Sequence, residues 1–66
     1  MKHYRCIFNV VRGRTTVDVV AENAERALMQ ASDTVQEDAS GVEIWDDGGL
    51  VLQRKTWLAP TKIVRP

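Results

Sequence analysis

Two segments near the start of the chain have an apolar residue at every second position over most of their length, as a β-strand with one buried face does. Residues 4–11 and 15–21 are also rich in β-branched and aromatic residues, which favour strands. The short link between them predicts a β-hairpin, and Gly13-Arg14 fits a type II′ loop because glycine stands at its first central position. One face of this hairpin is apolar. The predicted register pairs Val10 with Val17, Phe8 with Val19, Cys6 with Ala21, Asn9 with Asp18, and Arg5 with Glu22.

The next segment has the spacing of an amphipathic helix. Asn23 suits the N-cap position, and we expect the helix to run from Ala24 to Asp38. It should end before Ser40-Gly41, because glycine readily adopts the left-handed conformation that follows many helices. Small side chains on its apolar stripe permit close approach to a sheet. The stripe consists of Ala24, Ala27, Leu28, Ala31 and Val35.

A second hairpin is predicted around Asp47-Gly48-Gly49, with strands at residues 42–46 and 50–58. A three-residue loop aligns Ile44 with Leu52, whereas a two-residue loop changes the faces of the strands. The three-residue alternative turns outwards Trp45, Val51 and Trp57. The core candidates from this hairpin are Val42, Ile44, Leu50 and Leu52. Residues 59–66 contain both prolines and are predicted to form an extended tail, either an edge strand or a flexible arm.

The order strand, strand, helix, strand, strand predicts an α+β fold. We expect a single-domain ββαββ arrangement over residues 1–66, because 66 residues leave room for one small core. Packing the helix across the first hairpin brings the third strand beside the first, which gives an antiparallel sheet in the order 2-1-3-4. One helix covers one face of such a sheet. The other face is therefore predicted to lack cover from the chain.

This uncovered face is the predicted interface with a protein partner. Apolar and polar residues are mixed there, and tryptophan is enriched at protein contact sites. Two alternatives stay open at this point: the tail folds back over the face, or Trp57 belongs to the core. The predicted protein-binding residues are Arg5, Ile7, Asn9, Val11, Asp18, Trp45 and Trp57.

Charge is balanced overall but uneven along the chain. Nine Lys and Arg residues match nine Asp and Glu residues, so the net charge is zero and gives no general attraction for polyanions. All nine carboxylates lie in residues 15–50, whereas residues 1–14 and 51–66 carry four cations each. An alternative hypothesis is therefore nucleic-acid binding by a basic hairpin tip and a basic tail. Its candidate residues are Arg12, Arg14, Arg54, Lys55, Lys62 and Arg65.

The residues that carry most enzyme chemistry are scarce. His3 is the only histidine, so a His cluster for zinc cannot form, and the acidic residues around Gly48-Gly49 lack calcium-loop spacing. We predict no enzyme activity, no cofactor and no metal site. A lone cysteine excludes an intramolecular disulfide and favours a reducing, cytoplasmic location. The longest apolar runs have three residues, so we expect no membrane contact.

Together these patterns predict a small non-enzymatic binding module that acts through protein contact. By analogy alone, its size and neutrality suit an inhibitor or adaptor of the kind encoded by phages and mobile elements, such as anti-CRISPR proteins. Nucleic-acid binding is the first alternative. A homodimer with a structural role, joined through the uncovered face or through edge strands, is the second.

Overall fold

Four antiparallel strands and one helix make up the secondary structure that the computed structural model describes, which covers residues 1–35 and 37–57. The elements are β1 (Lys2–Val10), β2 (Gly13–Ala21), α1 (Ala24–Ser32), β3 (Ala39–Asp46) and β4 (Gly49–Arg54). The strands form one sheet in the order β2-β1-β3-β4, and α1 packs on one of its faces. The predicted α+β fold and strand order are confirmed.

The core lies between α1 and the two central strands. Phe8 of β1 and Val42 and Ile44 of β3 are fully buried there, because alternate residues of a strand point to the same face. Ala27 and Ala31 of α1 are also fully buried, and their small side chains let the helix approach the sheet closely. Burial on this side therefore follows the two-residue and three-to-four-residue periods of the sequence.

The first hairpin has a different turn and register from the predicted ones. Its loop is Val11-Arg12, and the predicted pairing is wrong by four positions: Cys6 lies opposite Val17. Gly13 is the first residue of β2 and has a φ of +135°, whereas the non-glycine turn residues have no positive φ. Glycine is needed after the turn, as in a type I turn, and not at its first central position. The shift is an even number, so every side chain keeps its predicted face.

The helix begins where predicted and ends earlier. The Asn23 side chain caps it by accepting a hydrogen bond from the backbone N–H of Arg26 at 2.9 Å. The helix ends at Ser32 and not at Asp38, because short polar side chains compete for its last carbonyls. The Thr34 hydroxyl, for example, donates to the carbonyl of Ala31 at 2.9 Å. Within residues 1–35 and 37–57, no helix has the length and apolar character needed to cross a membrane.

Gly41 is not a helix cap. It lies inside β3, opposite Asn9 of β1, and a Cβ atom added to it would meet the Asn9 amide nitrogen at 3.4 Å. The strand begins at Ala39, three residues earlier than the predicted start at residue 42. The glycine therefore serves close approach within the sheet and not the termination of the helix.

The second hairpin has the two-residue loop, but farther from the tip its strands take the register predicted for the three-residue loop. At the tip, Asp46 lies opposite Gly49 around a two-residue loop, and Asp46 Oδ1 accepts a hydrogen bond from the Gly48 N–H at 2.7 Å. Beyond a β-bulge, Ile44 lies opposite Leu52, as the three-residue loop would place it. The strand β4 ends at Arg54, and the predicted tail at 59–66 lies outside the described residues.

Trp57 faces the core and Leu50 faces solvent, which is the reverse of their placement with a three-residue loop. Trp57 forms two backbone hydrogen bonds with Ala39, at 2.9 and 3.0 Å, and its ring meets the buried ring of Phe8 edge-on with centroids 4.9 Å apart. Its side chain is therefore partly buried and packs against the core, in agreement with the alternative that assigned Trp57 to the core. Leu50, predicted for the core, is 44% exposed because the bulge leaves it opposite the outward-facing Trp45.

Candidate protein interface on the open sheet face

The face of the sheet that points away from α1 is named here the open face. Its side chains form rows across the strands, because directly opposite residues of antiparallel strands lie on the same side. One row runs from Asp18 through Arg5 and Trp45 to Leu50. The neighbouring rows contain Thr16, Ile7, Glu43 and Gln53, and then Arg14, Asn9 and Gly41. Within residues 1–35 and 37–57, no helix or strand lies over these rows.

An exposed ion pair lies on the half of the open face that β1 and β2 form. The Arg5 guanidinium donates from Nε to Asp18 Oδ1 at 3.2 Å, and both side chains stay about half exposed. An exposed pair of this kind stabilises a fold by about 0–1 kcal/mol. The pair places a positive charge on β1 directly beside a negative charge on β2.

Apolar side chains cluster beside this ion pair, at the tip of the second hairpin. Trp45 is 39% exposed, Leu50 44% and Val51 45%. The bulge causes the cluster, since Leu50 and Val51 of β4 both fall in the interval that Trp45 alone occupies on β3. The Trp45 indole N–H donates to Glu43 Oε1 at 3.1 Å, which satisfies its polar atom and holds the ring against the sheet.

A shallow concavity of about 260 Å³ lies between this cluster and the start of β1. It opens widely to solvent, whereas sites for small molecules are usually enclosed and begin at roughly 300 Å³. Among the described residues, no group of three His, Cys, Asp or Glu side chains is placed to hold a metal ion. The concavity is thus an open depression of the surface. Its lining is His3, Arg5, Asp18, Trp45, Asp46 and Asp47.

Cys6 lies on the opposite side of the sheet, in the core. Its thiol is fully buried and contacts the carbonyl oxygen of Ala27 at 3.9 Å. Burial, with a smaller contribution from the negative charge of Asp18, raises the pKa of Cys6 from 9.0 to about 11. The thiol is therefore protonated at neutral pH and is not activated as a nucleophile.

Five of the seven predicted protein-binding residues come together on the open face. They are Arg5, Ile7, Asn9, Asp18 and Trp45. The other two do not join them: Val11 lies in the first turn, almost fully exposed, and Trp57 packs against Phe8 in the core. Leu50 lies beside Trp45 although it is not among the predicted protein-binding residues. The signal for its position is the Asp-Gly-Gly tip, which allows a short loop followed by a bulge.

The basic candidates of the nucleic-acid hypothesis are partly neutralised by ion pairs. The Arg12 guanidinium binds Glu37 at 2.6 Å, and Arg54 binds Glu25 at 3.4 Å. Each pair joins a basic segment of the sequence to the acidic middle segment. Positive and negative side chains that are far apart in the sequence are therefore neighbours in the folded protein. Of the remaining candidates, Arg14 and Lys55 are exposed, and Lys62 and Arg65 lie outside the described residues.

Comparison of the chain with protein-family models, with curated proteins and with solved structures finds no match.

Proposed function

We propose that this protein is a small non-enzymatic binding module whose open face contacts a protein partner. The observation that carries the proposal is the cluster of Trp45, Leu50 and Val51, each about 40% exposed, on the face that α1 does not cover. Protein interfaces have such an apolar, aromatic centre with polar residues around it. The Arg5–Asp18 pair supplies polar, charge-patterned surface next to the cluster.

The size of the open face suits this role. Strands of up to nine residues, at ~3.4 Å per residue and ~4.8 Å apart, give a surface of about 30 by 19 Å. A standard protein interface uses about 800 Å² of accessible surface on each partner. The open face therefore offers most of the area that one partner requires.

A protein partner is favoured over nucleic acid by the charges around the cluster. Asp46 and Asp47 line the concavity beside Trp45, and they would repel phosphates. Arg12 and Arg54 already bind carboxylates of the same chain. Phosphate binding by either arginine would first have to displace a carboxylate, which reduces the gain from the contact. The analogy with phage-encoded inhibitors or adaptors remains a prediction.

Affinity capture with matched variants tests the proposal. The wild-type protein and the Trp45→Ala, Leu50→Ser and Met29→Ala variants serve as bait in a lysate of the organism that encodes the chain. Met29 is the control, because it is also a large exposed apolar side chain but belongs to α1. Circular dichroism confirms that all four baits are folded.

We expect at least one protein, identified by mass spectrometry, to be captured by the wild type and the Met29→Ala variant. The same protein should be lost or strongly reduced with Trp45→Ala and Leu50→Ser, because these changes remove the apolar centre of the interface. Capture of the same proteins by all four baits would contradict the proposal, and so would capture of none.

A further inference from the structure

The outer edge of β2 is the longest regular strand edge in the described sheet. β2 lies at the end of the order β2-β1-β3-β4, has nine residues and pairs with β1 without any register shift. Its outer backbone N–H and C=O groups have no partner strand among the described residues. From Thr15 to Val20 the residues are Thr, Thr, Val, Asp, Val and Val, which favour strand pairing and include one charge.

The other edge of the sheet, formed by β4, has features that hinder pairing with strands of other chains. β4 has six residues and is interrupted by the bulge at Leu50 and Val51, and short, bulged edge strands pair poorly with other chains. β2 carries neither form of protection. The contrast between the two edges points to β2 as a surface for strand pairing.

We propose that a second copy of this chain pairs with the outer edge of β2, antiparallel, around a two-fold axis at Thr16. An axis perpendicular to the sheet makes the two β2 strands antiparallel and keeps both α1 helices on the same side. Thr16 then faces Thr16 of the second copy, and Arg14 lies opposite Asp18 of the second copy. By symmetry the same pair forms twice, and the result is a continuous eight-stranded sheet.

The charges of β2 select this register. Arg14 and Asp18 lie four residues apart on the same face, so they become directly opposite only when the axis passes midway between them, at Thr16. An axis at Val17 would place Arg14 opposite Val20. An axis at Asp18 would bring two like charges together, which is destabilising.

Both residues of the proposed pair are available for it. Arg14 has no carboxylate within ion-pair distance in the described part of the chain. Asp18 contacts Arg5 through Oδ1, which leaves the second carboxylate oxygen for Arg14 of the second copy. The junction would thus carry a line of alternating charges, Arg5, Asp18 and Arg14, on each side of the axis.

Disulfide crosslinking tests the register directly. In a Thr16→Cys variant, the two new cysteines would lie opposite each other with Cα atoms about 4.5–5.5 Å apart, within the range that a disulfide spans. In the control variant Thr15→Cys, an offset of two residues along the strands puts the Cα atoms about 8 Å apart, which is too far. The native Cys6 is fully buried and does not compete.

We expect mild oxidation to convert most of the Thr16→Cys protein to a covalent dimer and little of the Thr15→Cys protein. Light scattering on the wild type at millimolar concentration should give twice the monomer mass of 7.4 kDa. Arg14→Glu should weaken dimerisation by about tenfold or more, since two attractive pairs become repulsive. Lys55 follows β4, at the other edge of the sheet. Lys55→Glu therefore makes the same change in charge far from the β2 edge and should leave the dimer unchanged.

Three results would overturn the inference: a wild-type mass of 7.4 kDa at millimolar concentration, equal crosslinking at positions 15 and 16, or a dimer unaffected by Arg14→Glu. Circular dichroism on each variant ensures that loss of the dimer is not loss of the fold. The inference does not depend on the open-face proposal. Affinity capture of a partner depends on Trp45, whereas dimerisation depends on the β2 edge, and the two are measured in separate experiments.

Discussion

Truncating the same side chain on the two faces of the sheet should have very different effects on stability. Val42 of β3 points into the core and is 0% exposed, whereas Val20 of β2 lies on the open face and is 54% exposed. Val42→Ala and Val20→Ala remove identical atoms from strands of the same sheet. The difference between the two losses in free energy of unfolding therefore measures how well the chain covers each face of the sheet.

The expected magnitudes follow from the burial of each side chain. Removing two buried carbon atoms costs ~1.6 kcal/mol of transfer free energy, and the cavity at Val42 adds about 1 kcal/mol, giving ~2.5 kcal/mol. At Val20 less than half of the side chain is buried, so the expected cost is ~0.7 kcal/mol. A 66-residue domain has a free energy of unfolding of roughly 3–10 kcal/mol, so both variants should remain folded.

Urea denaturation followed by tryptophan fluorescence measures both costs. The contact of Trp57 with Phe8 reports on the core, and micromolar protein avoids any contribution from dimers. With a slope of ~1 kcal/mol per molar urea, the midpoint should fall by about 2.5 M for Val42→Ala and about 0.7 M for Val20→Ala. Equal shifts for the two variants would refute the reasoning, because Val20 would then be buried and the open face would be covered by the chain itself.

Three further predictions concern the cap, the thiol and the first turn. Asn23→Ala should lower the free energy of unfolding by about 1 kcal/mol, and Asn23→Asp should not, as thermal melting would show. Because the folded state raises the pKa of Cys6, stability should fall as the pH rises from about 9 to about 11, and a Cys6→Ala variant should lack this part of the fall in a denaturation series. Gly13→Ala should cost about 1–2 kcal/mol because of its φ of +135°, whereas Gly48→Ala should cost less in the same melting assay.

Much of the fold could be predicted because it depends on side-chain periodicity. The apolar alternation of residues 4–11 and 15–21 determines which side chains face α1, and an even error in register leaves those faces unchanged. The turn was less predictable. A glycine between two strands can stand inside a two-residue loop or just after it, and the sequence of the first hairpin permits both.

The candidate site was harder to predict because it depends on local irregularities. The β-bulge in the second hairpin brings Leu50 to the surface beside Trp45, and a regular alternation places it inside. Trp57 lies in the core through its bridge to Ala39, beyond the end of β4. The long-range ion pairs, such as Arg12 with Glu37, also cannot be predicted from the distribution of charge along the sequence.

The two proposed surfaces can be separated by a charge reversal at one of them. Arg14 lies two strands and two rows away from Trp45, which is about 17 Å for ordinary strand spacings. A charge at that distance is largely screened at physiological salt, where the Debye length is about 8 Å. Arg14→Glu should therefore weaken the dimer by about tenfold or more and leave the intrinsic affinity for a partner bound at Trp45 unchanged, as titration calorimetry below the dimerisation concentration would show. If Arg14→Glu reduced that affinity as much as Trp45→Ala, the partner would contact the β2 side of the sheet, and the assignment of the interface to the cluster around Trp45 would be wrong.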